Sequence, residues 1–217
     1  MANALVYCPS GCGKTVNSTR VAVGKRGRNL LLCSDNSAVV LRNFDRPNLE
    51  IVNLANIKQF LDTFESAVSA EKCDCIIVDN LSDLFDMWIL ELDASGKFKD
   101  MRQAYQTVYQ ALKRLVRKAG QVSTNVIFTA WHDDREVTLG SGEKVVRISP
   151  KLQPKILDNI CGLCNIVAYI NTVTDKDGKK QWYYILEGTP QLYAKDQLFC
   201  RKSCLPEDLF NGKGVKA

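Results

Sequence analysis

Cys8-Pro9-Ser10-Gly11-Cys12-Gly13-Lys14-Thr15 places glycines, a lysine and a threonine at the spacing of a phosphate-binding loop. The pattern G-x-x-x-x-G-K-[ST] has Cys8 in its first glycine position, and Gly13, Lys14 and Thr15 fill the rest. Gly11 and Gly13 let the backbone curl so that the amides of Ser10, Gly11, Cys12 and Gly13 point inward at an anion. A helix over 14–24 would add unpaired N–H groups at its start. Lys14 can then reach the β- and γ-phosphates, and the Thr15 hydroxyl can ligate Mg²⁺. The chemistry indicated is the holding of a nucleoside triphosphate.

Asp79 ends the apolar run Cys75-Ile76-Ile77-Val78, the setting of a carboxylate that holds Mg²⁺ through its water shell. Hydrolysis needs a further group to orient water. Asp35, just beyond another apolar run, can accept a water proton, or it can cap the turn that Asp35-Asn36-Ser37 encodes. The sole histidine, His132, follows Val126-Ile127-Phe128-Thr129-Ala130-Trp131. At that strand end it would sense the γ-phosphate or orient water, or else hydrogen-bond at the surface. Thr129 is a second candidate for the same polar role.

Two basic segments are candidates for nucleic acid. Lys97 and Lys99 flank Phe98, which offers a face for a base, and Arg135, Lys144 and Arg147 follow the strand that leads to His132. The alternative is solvated loops with an ordinary share of charge. Lys113, Arg114, Arg117 and Lys118 fall near a helix end, where cations also complement the dipole. Cys161-x₂-Cys164 and Cys200-x₃-Cys204 have the spacing of a four-thiolate zinc site, although Ile160, Leu163, Ile166 and Val167 surround the first pair as in a core of small buried thiols.

The elements that must hold these residues alternate. Strands are predicted at Ala4–Cys8, Asn29–Ser34, Leu49–Leu54, Cys75–Asp79 and Asn125–Thr129, with helices over 14–24, 56–71, 82–92 and 100–119. That alternation implies an α/β fold, a mostly parallel sheet with ligands at its carboxyl edge. In the C-terminal third, a hairpin over 137–148 around Gly140-Ser141-Gly142 and another joining Ile166–Thr172 to Gln181–Leu186 through Asp177-Gly178 predict antiparallel pairing.

A chain of 217 residues suits one α/β domain, expected over 1–210, followed by a frayed tail from Asn211 to Ala217. A net charge of +5 permits nucleic-acid contact without requiring it. Nine cysteines, an odd number, together with no secretory segment, point to reduced thiols in a cytoplasm. No apolar run approaches the roughly 20 residues that cross a bilayer, so no membrane partner is expected.

The order of phosphate loop, strand ending Ser34-Asp35, Ile76-Ile77-Val78-Asp79-Asn80 and Phe128-Thr129-Ala130-Trp131-His132 resembles the phage-encoded nucleotide-binding proteins of the RecA-like class, some of which accompany single-strand annealing recombination. The resemblance spans about residues 3 to 200 and is most specific in the first 132. It implies a RecA-like core, ATP with Mg²⁺, Asp35 in the position of a water-activating glutamate, and Trp131 or His132 beside the γ-phosphate sensor. It further implies DNA-facing loops at 97–99 and 135–147, and Lys195 and Arg201 reaching a neighbour's nucleotide in a homo-oligomer. Single-stranded DNA and a single-strand-binding protein are the partners it suggests, and a DNA-dependent ATPase is the activity. A nucleotide-gated scaffold and a small-substrate kinase are the alternatives, and the chain carries no clear arginine-rich lid for the latter.

Overall fold

The computed structural model describes residues 2–22, 24–174 and 177–215. The first half runs β1 (Asn3–Cys8), α1 (Lys14–Ser18), β2 (Asn29–Cys33), β3 (Leu49–Asn53), α2 (Ile57–Ala70), β4 (Cys75–Asp79), α3 (Leu81–Ala94) and α4 (Met101–Ala119). The second half runs β5 (Asn125–Thr138), β6 (Lys144–Pro150), α5 (Pro154–Leu163), β7 (Ile166–Thr174), β8 (Lys180–Ile185), β9 (Lys195–Asp196) and β10 (Ser203–Cys204).

Among the described residues ten strands join one sheet, in the order β10-β8-β7-β1-β5-β4-β2-β3, with β6 on β5 and β9 on β7. The stretch from β7 to β3 is parallel throughout. The pairings of β6, β8, β9 and β10 are antiparallel. The sheet is therefore mixed and mostly parallel, as the alternation of runs predicts.

The central strands read as unbroken apolar runs because both faces are covered. Leu5, Tyr7, Ile76, Val78, Val126 and Phe128 pack on one side under α2, α3, α4 and α5. Ala4, Val6, Cys8, Leu31, Ile77 and Ile127 pack on the other, where α1 and the C-terminal segments lie. Helix α2 buries Ile57, Phe60, Phe64 and Val68 at helical spacing, and its N-terminus is capped by Asn56.

Three elements depart from expectation. Helix α1 stops at Ser18 rather than reaching residue 24. Its sequence explains why: Asn17 Nδ2 donates to Gly13 O, and Thr19 Oγ1 donates to the carbonyls of Thr15 and Val16. Short polar side chains that bond the backbone compete with the helical ladder, and Thr15, Val16 and Thr19 are β-branched. Strand β5 continues past Thr129 to Thr138, because β6 extends its pairing through seven residue pairs from His132↔Pro150 to Thr138↔Lys144. Helix α5 was not anticipated, although Pro154 at its first turn is a recognised start signal.

Among the described residues no helix is long and apolar enough to cross a membrane. Lys216 and Ala217, the end of the expected tail, lie outside the described residues.

Candidate functional site

The loop that leaves β1 turns at Pro9, whose carbonyl accepts from Cys12 N at 3.4 Å. Gly11 and Gly13 take φ of 79° and 89°, which residues with a Cβ rarely adopt. A Cβ on Gly13 would also stand 2.9 Å from Asn17 Nδ2. Lys14 Nζ lies across the loop and donates to the carbonyls of Cys8 at 3.2 Å and Pro9 at 3.0 Å, leaving the third ammonium proton for a ligand.

Cys8, in the first glycine position, is fully buried with its Sγ 3.3 Å from Pro9 O. Burial pushes its thiol up to about 12, partly opposed by the charge of Lys14. It is a neutral packing group.

Asp79 sits at the carboxyl end of β4 and is 1% exposed. Three hydroxyls converge on it: Thr15 Oγ1 donates to Oδ2 at 2.5 Å, Ser37 Oγ donates to Oδ2 at 2.9 Å, and Thr129 Oγ1 donates to Oδ1. Burying a carboxylate costs free energy unless hydrogen bonds or a cation compensate. Hard oxygen donors of this kind suit Mg²⁺, which keeps most of its waters and takes one or two protein oxygens. The residues present therefore fit that ion. Burial also pushes the thiol of Cys33, beneath this cluster, up to about 12, with the charge of Asp79 adding to the effect.

Asp35 is held from two sides. Its Oδ1 accepts from Ser37 N at 2.8 Å, the turn-capping bond, and its Oδ2 accepts from Asn80 Nδ2 at 3.1 Å. Asn80 in turn caps α3 by accepting from Asp83 N at 2.8 Å. Asp35 also lines the same cavity as the phosphate loop, and of its two roles read from the sequence the turn cap is the one its hydrogen bonds display.

That cavity measures about 720 Å³. Lys14, Thr15, Asp35 and Asp79 all line it. Ser37 and Asn80 contribute to the same wall and were missed at the level of sequence; the Asp-Asn-Ser turn and the asparagine after Asp79 were the available signals. Arg20, Phe44 and Arg46 line it too, and Trp131 and Trp182 add two indoles.

The remaining candidates divide between this site and the surface. Thr129 and Trp131 share one face of β5, and His132 lies on the other, with Nδ1 3.9 Å from Asp134 Oδ1. Among the described residues the cavity wall carries Trp131 and not His132. Lys97 and Lys99 are exposed, and Lys97 Nζ lies 5.8 Å from the ring of Phe98. Helix α3 carries that loop away from the phosphate loop toward α2, where Glu91 accepts from Ile57 N. Arg135 is bound to Asp133 and to Leu152 O, Lys144 pairs with Glu136, and Arg147 Nε donates to Pro190 O at 2.9 Å.

Lys195 Nζ donates to Gly162 O at 3.2 Å, and burial draws its ammonium below the ordinary lysine range. Arg201 is buried and spends its donors inside the chain: on Asp196 at 2.7 Å and on the carbonyls of Asp208, Leu209 and Lys213.

The zinc site is corrected. Among the described residues no three or more His, Cys, Asp or Glu side chains are placed to hold a metal ion. Cys161 and Cys164 pack in the core on one face of the sheet, Cys204 packs on the opposite face, and Cys200 is exposed. The sheet itself separates Cys204 from the first pair.

A family profile described as the AAA domain matches residues 2–198. No curated protein matches the chain. A buried carboxylate gathered onto the threonine of a phosphate loop, within a match that covers most of the molecule, places this chain in the AAA-domain family of P-loop NTPases.

Proposed function

We propose that this protein binds ATP with Mg²⁺ and hydrolyses it to ADP and phosphate, and that it does so on single-stranded DNA during phage recombination or strand annealing. The observation that carries the ATPase reading is the convergence of Lys14, Thr15, Asp79 and Asp35 on one cavity. Thr15 and Asp79 would hold Mg²⁺, directly or through water. An ion held there would supply positive charge to offset that of the phosphates. Lys14 adds its ammonium to the same phosphates, and Asp35 accepts a hydrogen bond from the attacking water and orients it in line.

The DNA reading rests on the resemblance and on the exposed cations Lys97 and Lys99 beside Phe98. A homo-oligomer working in the host cytoplasm, with a single-strand-binding protein as a further partner, belongs to the same reading.

A slower, switch-like protein is the second reading, favoured by one observation. Asp35 is a short side chain already engaged by Ser37 N and Asn80 Nδ2, which limits its reach toward water. Phosphate release measured with and without single-stranded DNA, with oligomeric state followed in the same samples, tests both. Release that rises on addition of DNA supports the ATPase reading; tight ATP and DNA binding with negligible release supports the switch. Binding of neither ATP nor DNA removes both.

A further inference from the structure

The phosphate loop, Thr15 and Asp79 line one part of the cavity; the remaining wall has a different chemistry. Trp182, on β8, comes from a part of the chain that no phosphate-loop pattern includes, yet a Cβ on Gly13 would stand 3.5 Å from its Nε1. Its indole is thus packed against the phosphate loop while lining the cavity. Beyond the 3-10 turn Ser37–Asn43, Phe44 lines the same cavity and is 43% exposed, and Val40 is 44% exposed. Arg46 lies with its guanidinium carbon 5.6 Å from the centre of the Phe44 ring, and its Nε finds no hydrogen-bond partner among the described residues.

Large apolar side chains left exposed in the wall of a phosphate cavity form a surface for a flat, weakly hydrated group. Aromatic faces hold nucleobases by stacking, and a purine offers a larger face than a pyrimidine. We propose that the nucleoside of the bound nucleotide lies against Trp182 and Phe44, and that these rings give the site a preference for purine over pyrimidine triphosphates. The inference rests on the phosphate-loop reading above.

The test compares inorganic tripolyphosphate, ATP and UTP, each with Mg²⁺, by calorimetric titration of the full chain and of Trp182→Ala, Trp182→Phe and Phe44→Ala. The wild-type chain is expected to bind ATP more tightly than UTP or tripolyphosphate. Trp182→Ala is expected to weaken ATP about tenfold, the lower range of one base stack, while leaving tripolyphosphate within about twofold. Trp182→Phe should recover most of the ATP affinity. Phe44 is nearly half exposed, so Phe44→Ala leaves the fold intact and should show the same selective loss.

Equal affinity of the wild type for ATP and tripolyphosphate, unchanged ATP affinity in both alanine variants, or parallel loss of ATP and tripolyphosphate would each overturn the base placement. Each of these outcomes leaves the phosphate-loop reading standing. Failure of the wild type to bind either ATP or tripolyphosphate overturns both.

Discussion

Thr15 Oγ1 donates to Asp79 Oδ2 at 2.5 Å, joining the first turn after the phosphate loop to the end of β4 across 64 residues of chain. Strand β5 lies between β1 and β4 in the sheet, so the bond spans a strand and draws the threonine hydroxyl and the carboxylate together. Ser37 and Thr129 complete the grip on the same carboxylate.

Asp79→Asn keeps an oxygen acceptor for some of these hydroxyls and removes the charge. The expected outcome is a folded protein whose ATP affinity no longer responds to Mg²⁺. Titration of ATP in Mg²⁺ and in EDTA should give clearly different affinities for the wild type and matching ones for the variant. A variant that keeps the full Mg²⁺ response would remove Asp79 from the metal site.

Lys14→Ala removes a charge-assisted contact worth about 1.5–3 kcal/mol, so ATP affinity should fall about 10- to 100-fold. Asp35→Ala should bind ATP nearly as well as the wild type while phosphate release drops about 100-fold. Nucleotide titration beside a phosphate-release assay separates the two, and unchanged turnover in the Asp35 variant would strike it from the water-orienting role.

Arg201 and Asp196 form a pair whose side chains are 6% and 0% exposed. Arg201→Ala leaves the buried Asp196 carboxylate without its charge partner, with only the backbone N–H groups of Leu198, Phe199 and Arg201 on it, and takes the guanidinium from three carbonyls, so it should cost about 3–5 kcal/mol. For a domain of this size the melting temperature should drop by about 10 °C or more, read by calorimetry. An undiminished melting temperature together with lost oligomer-dependent ATPase activity would return Arg201 to a role at a neighbouring subunit.

Thiol chemistry offers a check on the whole packing scheme. The thiolate is the reactive form, and burial pushes Cys8, Cys33, Cys164 and Cys204 up to about 12. Alkylation of the native protein at pH 8 should mark exposed Cys200 first and partly exposed Cys12 next, and leave those four unmodified until denaturant is added. Peptide mapping by mass spectrometry reads the order. Early, simultaneous labelling of Cys164 and Cys204 would contradict their placement in the core.

The parts of the site that the sequence makes legible are those encoded locally. The phosphate loop is eight consecutive residues, and Asp79 stands at the end of its own apolar run, so neither depends on knowing what packs beside it. Thr129 is legible as a polar residue at the end of an apolar run, whereas Trp182 comes from a segment that only the strand order brings to the loop, and no spacing announces it. The exchange of His132 for Trp131 on the cavity wall is a question of phase: the pairing Cys8↔Trp131 settles which face of β5 looks at the loop, and one residue of shift inverts it. The cysteine pairs failed for a related reason, since regular spacing along the chain says nothing about which side of a sheet each pair occupies. Helix α1 was overextended because the competition from Asn17 and Thr19 side chains is weaker as a sequence signal than the glycine that follows.

Cys8 bears on how strictly a phosphate loop needs its leading glycine. The left-handed curl of this loop is made at Gly11 and Gly13, and Cys8 does not share it. Its side chain is buried in the same cluster as Ala4 and Val6, with Sγ against the carbonyl of Pro9 where the loop begins. A glycine at that point would hollow out the support and give the unfolded chain about 0.5–1 kcal/mol more freedom to lose. The substitution thus trades slack for rigidity under the anion cradle.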